Sequence, residues 1–474
     1  MNNKDRILSQ LTGLPDDVTI FDYDINRDKS IIRLYVTWNE PMGEDRICPA
    51  CNGINCVKKD NGSNQTMRHT PSGLMNVLIT FHKPRFKCRD CNRSFYMKPW
   101  WADTDMSITI HLFYMIYRLL ITTTLNLTDI ARRTNSTPSI VLNVMKRIHL
   151  VKPSLPHSLG IDEFHGSTGS YNPDRNRYDV DKYHCILTDT DNSVVYDILP
   201  KATYNYLHSY FMHYDTSIRS GVQFISMDMR SGFSRIAREC FPKSRVCIDP
   251  FHVVKLLTEA ISQIRVDEWR RLHSYYLSYV DQADKTPCPD DDEKAMKAML
   301  ESDYKLVKNS QKLLITSPYN KNTFWALNPD IRKERLDKLF KLAPALKQPY
   351  LALMEFYDVT NCSDSKSRHT LFMEWIKKWL KCDCPKIQGA AKSISKRKGG
   401  IERAWKYHKS NSVTEGLNKK IKDIKRSGFG MHDFENFRKR ILLSIGYDHY
   451  VDETYSIHKV RLDADTKGGD HNAR

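Results

Sequence analysis

The sequence predicts a multidomain α/β protein, in which small N-terminal modules precede a mixed sheet that is interrupted by helices. Three observations lead to this prediction. The chain has 474 residues, which is too long for one compact core and suggests roughly two to four domains. Two Cys-x-x-Cys pairs lie near the N-terminus, and three apolar segments further along the chain each end in an aspartate.

The chain carries a formal net charge of +17, which favours a polyanionic partner, most simply nucleic acid. A merely basic surface would give the same composition. We expect no membrane segment, because the most apolar run, residues 112–125, contains Arg118 and is too short to span a bilayer. The chain is therefore expected to be soluble and intracellular, where cysteines are thiols or metal ligands rather than disulfides.

Residues 1–101 are predicted to contain a zinc ribbon. Its ligands would be Cys48 and Cys51 in ICPAC, and Cys88 and Cys91 in KCRDC. Each Cys-x-x-Cys turn offers two thiolates, and four thiolates close a tetrahedral, structural Zn²⁺ site. The interval between the pairs must hold a hairpin, whose second strand is MNVLITFHKPRF. Cys56 is a competing ligand without a partner at this spacing, and accidental pairs of core cysteines are the alternative.

Residues 102–152 are predicted to form a helix-turn-helix. Thr128 could cap the first helix, and Thr137 with Pro138 gives the second helix a capping hydroxyl and a first-turn proline. An apolar stripe on the second helix faces inward and consists of Ile140, Val141, Val144 and Ile148. The residues left to contact DNA bases and phosphates are Ser139, Asn143, Lys146 and Arg147. Any amphipathic helix pair would show such a stripe, but the charge and the neighbouring zinc ribbon favour DNA binding.

Residues 153–255 change to a strand, hairpin, helix, strand, helix, strand order, which indicates a sheet of the ribonuclease-H type. The first strand, Leu159 to Ile161, is expected to end at Asp162, and later strands end at Asp228 and Asp249. Ligands gather at the carboxyl ends of strands in such sheets. Residues 256–409 read as a helical insertion, residues 410–452 return to the sheet domain, and residues 453–474 are expected to be disordered.

Glu415 lies on the lysine-rich helix that follows the insertion, and a lone glutamate there would usually be a solvated ion-pair partner. Together with Asp162 and Asp228, it meets the need of two-metal phosphodiester chemistry for converging carboxylates. Oxygen ligands of this kind suit Mg²⁺ or Mn²⁺. Three ambiguities stay open. Glu163 should face away from Asp162, Asp228 and Asp249 could exchange roles, and Glu402, after the flexible basic stretch SKRKGG, is a weaker rival of Glu415.

Two basic stretches are predicted to contact the DNA backbone, although a solvated surface is nearly as good an explanation. The residues concerned are Lys396, Arg397, Lys398, Lys419 and Lys422.

Taken together, these features resemble those of the DDE transposases of bacterial insertion sequences, most closely the ISL3 group. The similarity runs over nearly the whole chain, and its most specific stretches are SMDMRSGFSRIARECFP, IDPFHVVKLL and SNSVTEGLNKKIKDIKRSGFG. The resemblance implies a ribonuclease-H-like DDE core with Asp162, Asp228 and Glu415 as its metal-binding triad. Asp249 and His252 match the Asp-x-x-His signature that accompanies the second catalytic aspartate in several transposase groups. His252 would contact the scissile phosphate or the metal-bound water with Asp249 orienting it, unless Asp249 merely caps the following helix.

The resemblance further implies a transposase that binds the terminal inverted repeats of its element, cleaves DNA there and transfers the freed strand to target DNA. Double-stranded DNA would be its partner, a homodimer or larger assembly would join two ends, and the bacterial nucleoid would be its location. The alternatives are a repeat-binding protein or repressor without catalysis, and a structure-selective nuclease on the same type of sheet.

Overall fold

The computed structural model describes residues 12–14, 18–38, 46–122, 125–165, 169–180, 183–229, 231–283, 291–427 and 433–451. The tail predicted for residues 453–474 lies outside these ranges. No helix in the described part of the chain is long and apolar enough to cross a membrane.

The N-terminal region is a seven-stranded sheet with the order β1-β2-β4-β3-β7-β6, in which β5 also pairs with β4. Its strands are β1 (Val18–Asn26), β2 (Ile31–Trp38), β3 (Cys56–Arg68), β4 (Asn76–Cys88), β5 (Ser94–Tyr96), β6 (Ala102–Asp103) and β7 (Ile108–Thr109). The antiparallel β3–β4 hairpin fills the interval between the cysteine pairs, as the sequence predicts. Burial alternates along β4, and its inward residues Val77, Ile79 and Phe81 share a core with Trp101.

Three helices follow this sheet: α1 (Ile110–Thr122), α2 (Leu127–Arg133) and α3 (Pro138–Arg147). Asn126, rather than Thr128, caps α2, because its Oδ1 accepts a hydrogen bond from the Asp129 amide at 2.7 Å. Thr137 caps α3 as predicted. Of the predicted stripe, Val141, Val144 and Ile148 are buried and Ile140 is half-buried. Strand β8 (Ile148–Leu150) then leads to the central sheet.

The central sheet has the order β13-β12-β9-β14-β15. Its strands are β9 (Ser158–His165), β12 (Tyr183–Asp189), β13 (Val194–Leu199), β14 (Phe224–Met227) and β15 (Arg245–Ile248), and a small hairpin of β10 (Gly169–Asn172) and β11 (Arg177–Val180) precedes β12. Strands β9, β14 and β15 are parallel, whereas β12 is antiparallel to both of its neighbours.

One boundary differs from the prediction, because Asp162 lies inside strand β9 rather than at its end. Pairing with antiparallel β12 extends β9 to His165, whereas pairing with β14 stops at Ile161. Asp162 is therefore level with the end of β14 even though its own strand continues.

Helices cover both faces of the central sheet. One face packs on α4 (Tyr204–Met212) and α6 (Ser231–Cys240), which are separated by α5 (Thr216–Ser220). The other face packs on α16 (Ser412–Ser427) and α17 (Phe434–Ile445), which precede strand β16 (His449–Val451). Strand β16 pairs with β8 and so joins the C-terminal segment to the three N-terminal helices.

The region between β15 and α16 is helical, as predicted. Its helices are α7 (Pro250–Ala283), α8 (Asp291–Asn309), α9 (Gln311–Ile315), α10 (Phe324–Leu327), α11 (Pro329–Leu342), α12 (Lys347–Asn361), α13 (Ser365–Trp379), α14 (Pro385–Ser395) and α15 (Lys398–Tyr407). The aromatic and aliphatic stripes pack into one core, to which Leu339, Phe372 and Trp375 contribute fully buried side chains. Helix α15 packs on edge strand β15, where Gly400 lies against Ile248. The SKRKGG stretch joins α14 to α15 and is not an extended flexible loop.

Candidate active site and cysteine cluster

The four predicted cysteines converge on one point. Their sulfur atoms lie within 4.8 Å of one another, and the Cys48–Cys91 and Cys51–Cys88 pairs are 3.7 and 3.6 Å apart. Four thiolates about 2.3 Å from a tetrahedral zinc would be separated by about 3.8 Å. The cluster therefore fits a structural zinc ion.

The two turns that hold these cysteines have matching backbones. The residue after each second cysteine, Asn52 or Asn92, adopts a positive φ of 57° or 60°, a conformation that asparagine tolerates better than most residues. Cys56, the competing ligand, is not part of the cluster. Its buried thiol donates to the Gly53 carbonyl at 3.5 Å, and burial raises its pKa to about 11.

Asp162 and Asp228 occupy neighbouring strands at the same level of the central sheet. Asp162 is opposite Ile186 on β12, and Asp228 immediately follows the last residue of β14. Burial raises the pKa of Asp162 to about 6, the Glu163 amide opposes the shift, and the charge of Asp228 adds to it. A divalent cation bound beside Asp162 would favour its ionised form and so offset this penalty.

Glu415 reaches the same place from the first turn of α16. A close approach between this helix and the sheet makes that possible. The hydroxyls of Thr188 on β12 and Thr414 on α16 are hydrogen-bonded at 2.8 Å. Both lie over Gly160, where a Cβ atom would come within 2.2 and 2.6 Å of them. The absence of a side chain at Gly160 therefore lets α16 dock with Glu415 facing the aspartates.

Asn418 ties the helix directly to the first acid. Its Nδ2 donates to Asp162 Oδ2 at 2.8 Å, while the Glu163 amide donates to Asp162 Oδ1 at 2.8 Å. The Asn418 side chain is buried, and its Oδ1 has no hydrogen-bond partner within the described residues. The sequence places Asn418 on the same face as Glu415, one turn further along, but residue spacing alone assigns it no role.

Asp249 accepts two hydrogen bonds from backbone amides. Its carboxylate accepts the amide of Phe251 at 2.9 Å and the amide of Asn411 at 2.7 Å. It therefore caps α7 and anchors the segment that leads into α16. These contacts match the alternative of a helix-capping aspartate, and the charge of Asp249 also acts on Glu415.

His252 lies beside Glu415 instead. Its Nε2 is 3.7 Å from a Glu415 carboxylate oxygen, and this buried nitrogen has no hydrogen-bond partner in the part of the chain that the structure describes. Burial and the charge of Asp249 raise the pKa of the Glu415 carboxyl, whereas the nearby charges of His252, Lys255 and Lys419 lower it. The imidazole is thus positioned to meet a group that enters the site.

The rival acid Glu402 is engaged elsewhere. It lies on α15 and contacts His369 Nδ1 at 2.5 Å. Glu163 follows Asp162 on a strand and so points to the opposite face of the sheet. The charges of Asp228, Glu415 and His252 all act on Asp162, although the ligand atoms of these side chains do not all lie within 4.8 Å of one another as those of the four cysteines do.

Most of the predicted DNA-contacting residues are exposed, namely Ser139, Asn143, Lys146, Lys396, Lys398, Lys419 and Lys422. Two arginines are bonded within the protein. Arg147 pairs with the buried carboxylate of Asp103, and Arg397 donates to the Ser393 hydroxyl at 3.0 Å. Arg147 therefore fixes helix α3 against the N-terminal sheet, which makes it a poorer candidate for DNA contact than its neighbours.

Comparison with known families gives two matches. A model of the ISL3 group of DDE transposases matches residues 159–441, which is more than half of the chain. A second model, described as the zinc-finger of transposases IS204, IS1001, IS1096 and IS1165, matches residues 44–91. No curated protein matches the sequence.

Proposed function

Because the chain belongs to the ISL3 family of DDE transposases, we propose that it cleaves DNA at the ends of an insertion sequence and joins the freed strand to target DNA. The observation that carries this proposal is the convergence of Asp162, Asp228 and Glu415, with the pKa of Asp162 raised to about 6 by burial and by its acidic neighbours. The proposed domains are the zinc ribbon (1–101), a helix-turn-helix (102–152), a ribonuclease-H-like core (153–255 and 410–452) and a helical insertion (256–409).

Divalent cations are part of the proposal. The strand order and the three oxygen-bearing side chains fit two Mg²⁺ or Mn²⁺ ions held by Asp162, Asp228 and Glu415. When bound, such ions activate the attacking oxygen and stabilise the leaving oxygen of an in-line displacement. Cleavage by water and strand transfer by a 3′ hydroxyl are the same displacement, so one site serves both steps.

The remaining residues of the site would position the acids and orient the reacting groups. Asn418 holds one oxygen of Asp162 through its amide group, and Asp249 anchors the segment before α16 through the Asn411 amide. His252 offers an unpartnered ring nitrogen beside Glu415. We propose that it donates a hydrogen bond to an oxygen of the scissile phosphate or to the attacking water.

DNA recognition would fall to the N-terminal modules. The exposed residues Ser139, Asn143 and Lys146 share the outer face of α3, which is the face that a recognition helix presents to the major groove. Joining two ends of one element requires at least two catalytic sites, so a homodimer or larger assembly belongs to the proposal. This activity would take place at the nucleoid in the cytoplasm.

The test uses a labelled duplex that carries the end of the element, with wild-type protein and Asp228→Asn, with and without Mg²⁺. We expect Mg²⁺-dependent nicking at the boundary, reduced roughly 10³-fold or more in Asp228→Asn because loss of a ligand removes several kcal/mol of charge stabilisation. Glu402→Gln is the matched control and should cleave normally. Tight binding by both proteins without cleavage under any Mg²⁺ or Mn²⁺ condition would instead favour a repeat-binding repressor.

A further inference from the structure

Helix α17 contributes to two hydrophobic cores. Phe437 and Ile441 pack with α16 against the central sheet. Leu443, on the same helix, is buried in the core that α1, α2 and α3 form. Strand β16, which follows α17, pairs with β8 directly after α3. The helix therefore joins the three N-terminal helices to the sheet that carries the acids.

Arg440 of α17 is fully buried and bonds to both ends of the connection between α1 and α2. Its Nη1 donates to the carbonyl of Leu120 in the last turn of α1, and its Nη2 donates to the carbonyl of Leu125 at 3.2 Å. Ser444, one turn further along α17, also donates to the Leu120 carbonyl, at 3.3 Å. Carbonyls in the last turn of a helix lack an amide partner within it, and a planar guanidinium group can hold two of them at once.

The charge of Arg440 makes this contact more than apolar packing. Burial lowers the pKa of Arg440 to about 10, so the group stays charged at neutral pH. Its partners lie at the C-terminal end of α1, where the helix dipole favours a cation. Apolar side chains would hold two surfaces together without the cost of burying a charge. The directed hydrogen bonds instead fix the orientation of α1 on α17.

Lys439 makes a matching contact with α3, the helix proposed to read DNA. Its Nζ donates to the carbonyl of Lys146, in the last turn of α3, at 2.9 Å. The preceding residue, Arg438, reaches the sheet instead and donates from Nε at 2.7 Å to the buried carboxylate of Asp197 on β13. One short segment of α17 is thus bonded both to the reading helix and to the central sheet.

A rigid link of this kind has a consequence for cleavage. Successive phosphates of one DNA strand are about 3.4 Å apart along the duplex axis. Hydrogen bonds of defined length and angle restrict movement of α3 relative to the acids to less than this spacing. A reading unit on a looser connection would let more than one phosphate reach the acids.

We propose that Arg440 and Lys439 are positioning residues that fix which phosphate is cleaved relative to the sequence that α3 reads. This inference rests on the proposed function, because it assumes that α3 binds the element end and that the acids cleave it. Arg440 is fully buried, and Lys439 is bonded at the C-terminal end of α3. Their loss should therefore change where the DNA is cut while its affinity for the protein stays the same.

The test maps nicks in a labelled element-end duplex at nucleotide resolution, using full-length protein and Mg²⁺. The wild type should cut mainly at one phosphate. Arg440→Met removes the donors and keeps much of the side-chain length. It should lower the ratio of nicks at that phosphate to nicks at its neighbours about tenfold, which corresponds to about 1.4 kcal/mol of lost preference. Lys439→Met should act in the same direction by a smaller factor, and it decides the matter if Arg440→Met does not fold. Fluorescence anisotropy should show wild-type affinity for the duplex in both variants.

Ile441→Val is the matched control, because it removes buried volume from α17 where the helix packs on the sheet. It should lower the melting temperature and keep the wild-type nick position. Wild-type nick positions in the Arg440 and Lys439 variants, or an equal spread of nicks in Ile441→Val, overturn the inference. Mg²⁺-dependent nicking by the wild type would still uphold the transposase in that case, whereas a wild type that does not nick the duplex overturns both.

Discussion

The cysteine cluster and the carboxylate cluster are built in opposite ways. All four cysteines come from two turns at one end of the β3–β4 hairpin, and each turn carries two ligands. The acids come one each from a strand interior, a strand end and a helix, in segments that extend from Asp162 to Glu415. The first site is specified locally, whereas the second exists only once the sheet has formed and α16 has docked on it.

This difference predicts different responses to damage. A local site should fail when one of its own ligands is lost, because the small region around it depends on the metal for stability. A site assembled by the fold should also fail when residues that are not ligands change, provided that they control the docking of the helix. Substitutions at ligands and at docking residues should separate these two responses.

Loss of a zinc ligand should have the largest effect. We expect Cys88→Ser to abolish the binding of one zinc ion per chain and to unfold the region around the knuckles, because structural zinc contributes on the order of 10 kcal/mol to such modules. Zinc content by mass spectrometry and limited proteolysis would measure this. Cys56→Ser is the matched control and should keep its zinc, since Cys56 is adjacent to the cluster but outside it. Full zinc content in Cys88→Ser would refute the assignment.

A change at Gly160 should damage the acid cluster although glycine binds nothing. Gly160→Ala would place a Cβ atom 2.2 Å from the Thr188 hydroxyl and 2.6 Å from that of Thr414, so we expect a loss of about 3 kcal/mol in unfolding free energy, the upper end of the usual cost of overpacking. Gly416→Ala, on helix α16 with open space around it, should instead stabilise the protein by about 0.5 to 1 kcal/mol. Urea denaturation measures both, and equal effects would mean that the close approach is unimportant.

The same contrast explains what the sequence could predict. The cysteine turns, the hairpin between them and the alternation of apolar residues are local patterns, and the structure confirms them. Asp162 was expected at a strand end, but pairing with β12 carries β9 past it. The roles of Gly160 and Asn418 depend on contacts between residues far apart in the chain. No local pattern predicts such contacts, although the spacing of Asn418 from Glu415 places both on one face of the helix.

The pH dependence of stability should report the buried acid. Burial raises the pKa of Asp162 to about 6 in the folded protein, so the folded state holds this proton more tightly than the unfolded state does. Stability without divalent cations should therefore fall as the pH rises from about 4 to about 6, by at most about 3 kcal/mol. Glu415 shifts in the same direction.

Urea denaturation in a chelating buffer at pH 4, 5, 6 and 7 would measure this dependence. Asp162→Asn should lose most of this pH dependence and should be more stable than the wild type at pH 7. Mg²⁺ should stabilise the wild type more at pH 7 than at pH 5. A wild type that gains stability between pH 4 and 6 in the absence of cations would contradict the assignment.

The smallest effect is expected at Asn418. A substitution there distinguishes the docking of α16 from the positioning of the Asp162 carboxylate. Asn418→Ala removes the donor to Asp162 Oδ2, which should weaken Mn²⁺ binding by about tenfold, as is usual when the partner of a metal ligand is lost. Calorimetric titration with Mn²⁺ measures this without relying on activity. Lys420→Ala, an exposed change on the same helix, should bind Mn²⁺ as the wild type does. If Asn418→Ala melts at a lower temperature yet keeps its Mn²⁺ affinity, Asn418 only helps to dock α16. If Mn²⁺ affinity falls while the melting temperature holds, the geometry of Asp162 depends on a residue that lies far away in the sequence and binds no metal.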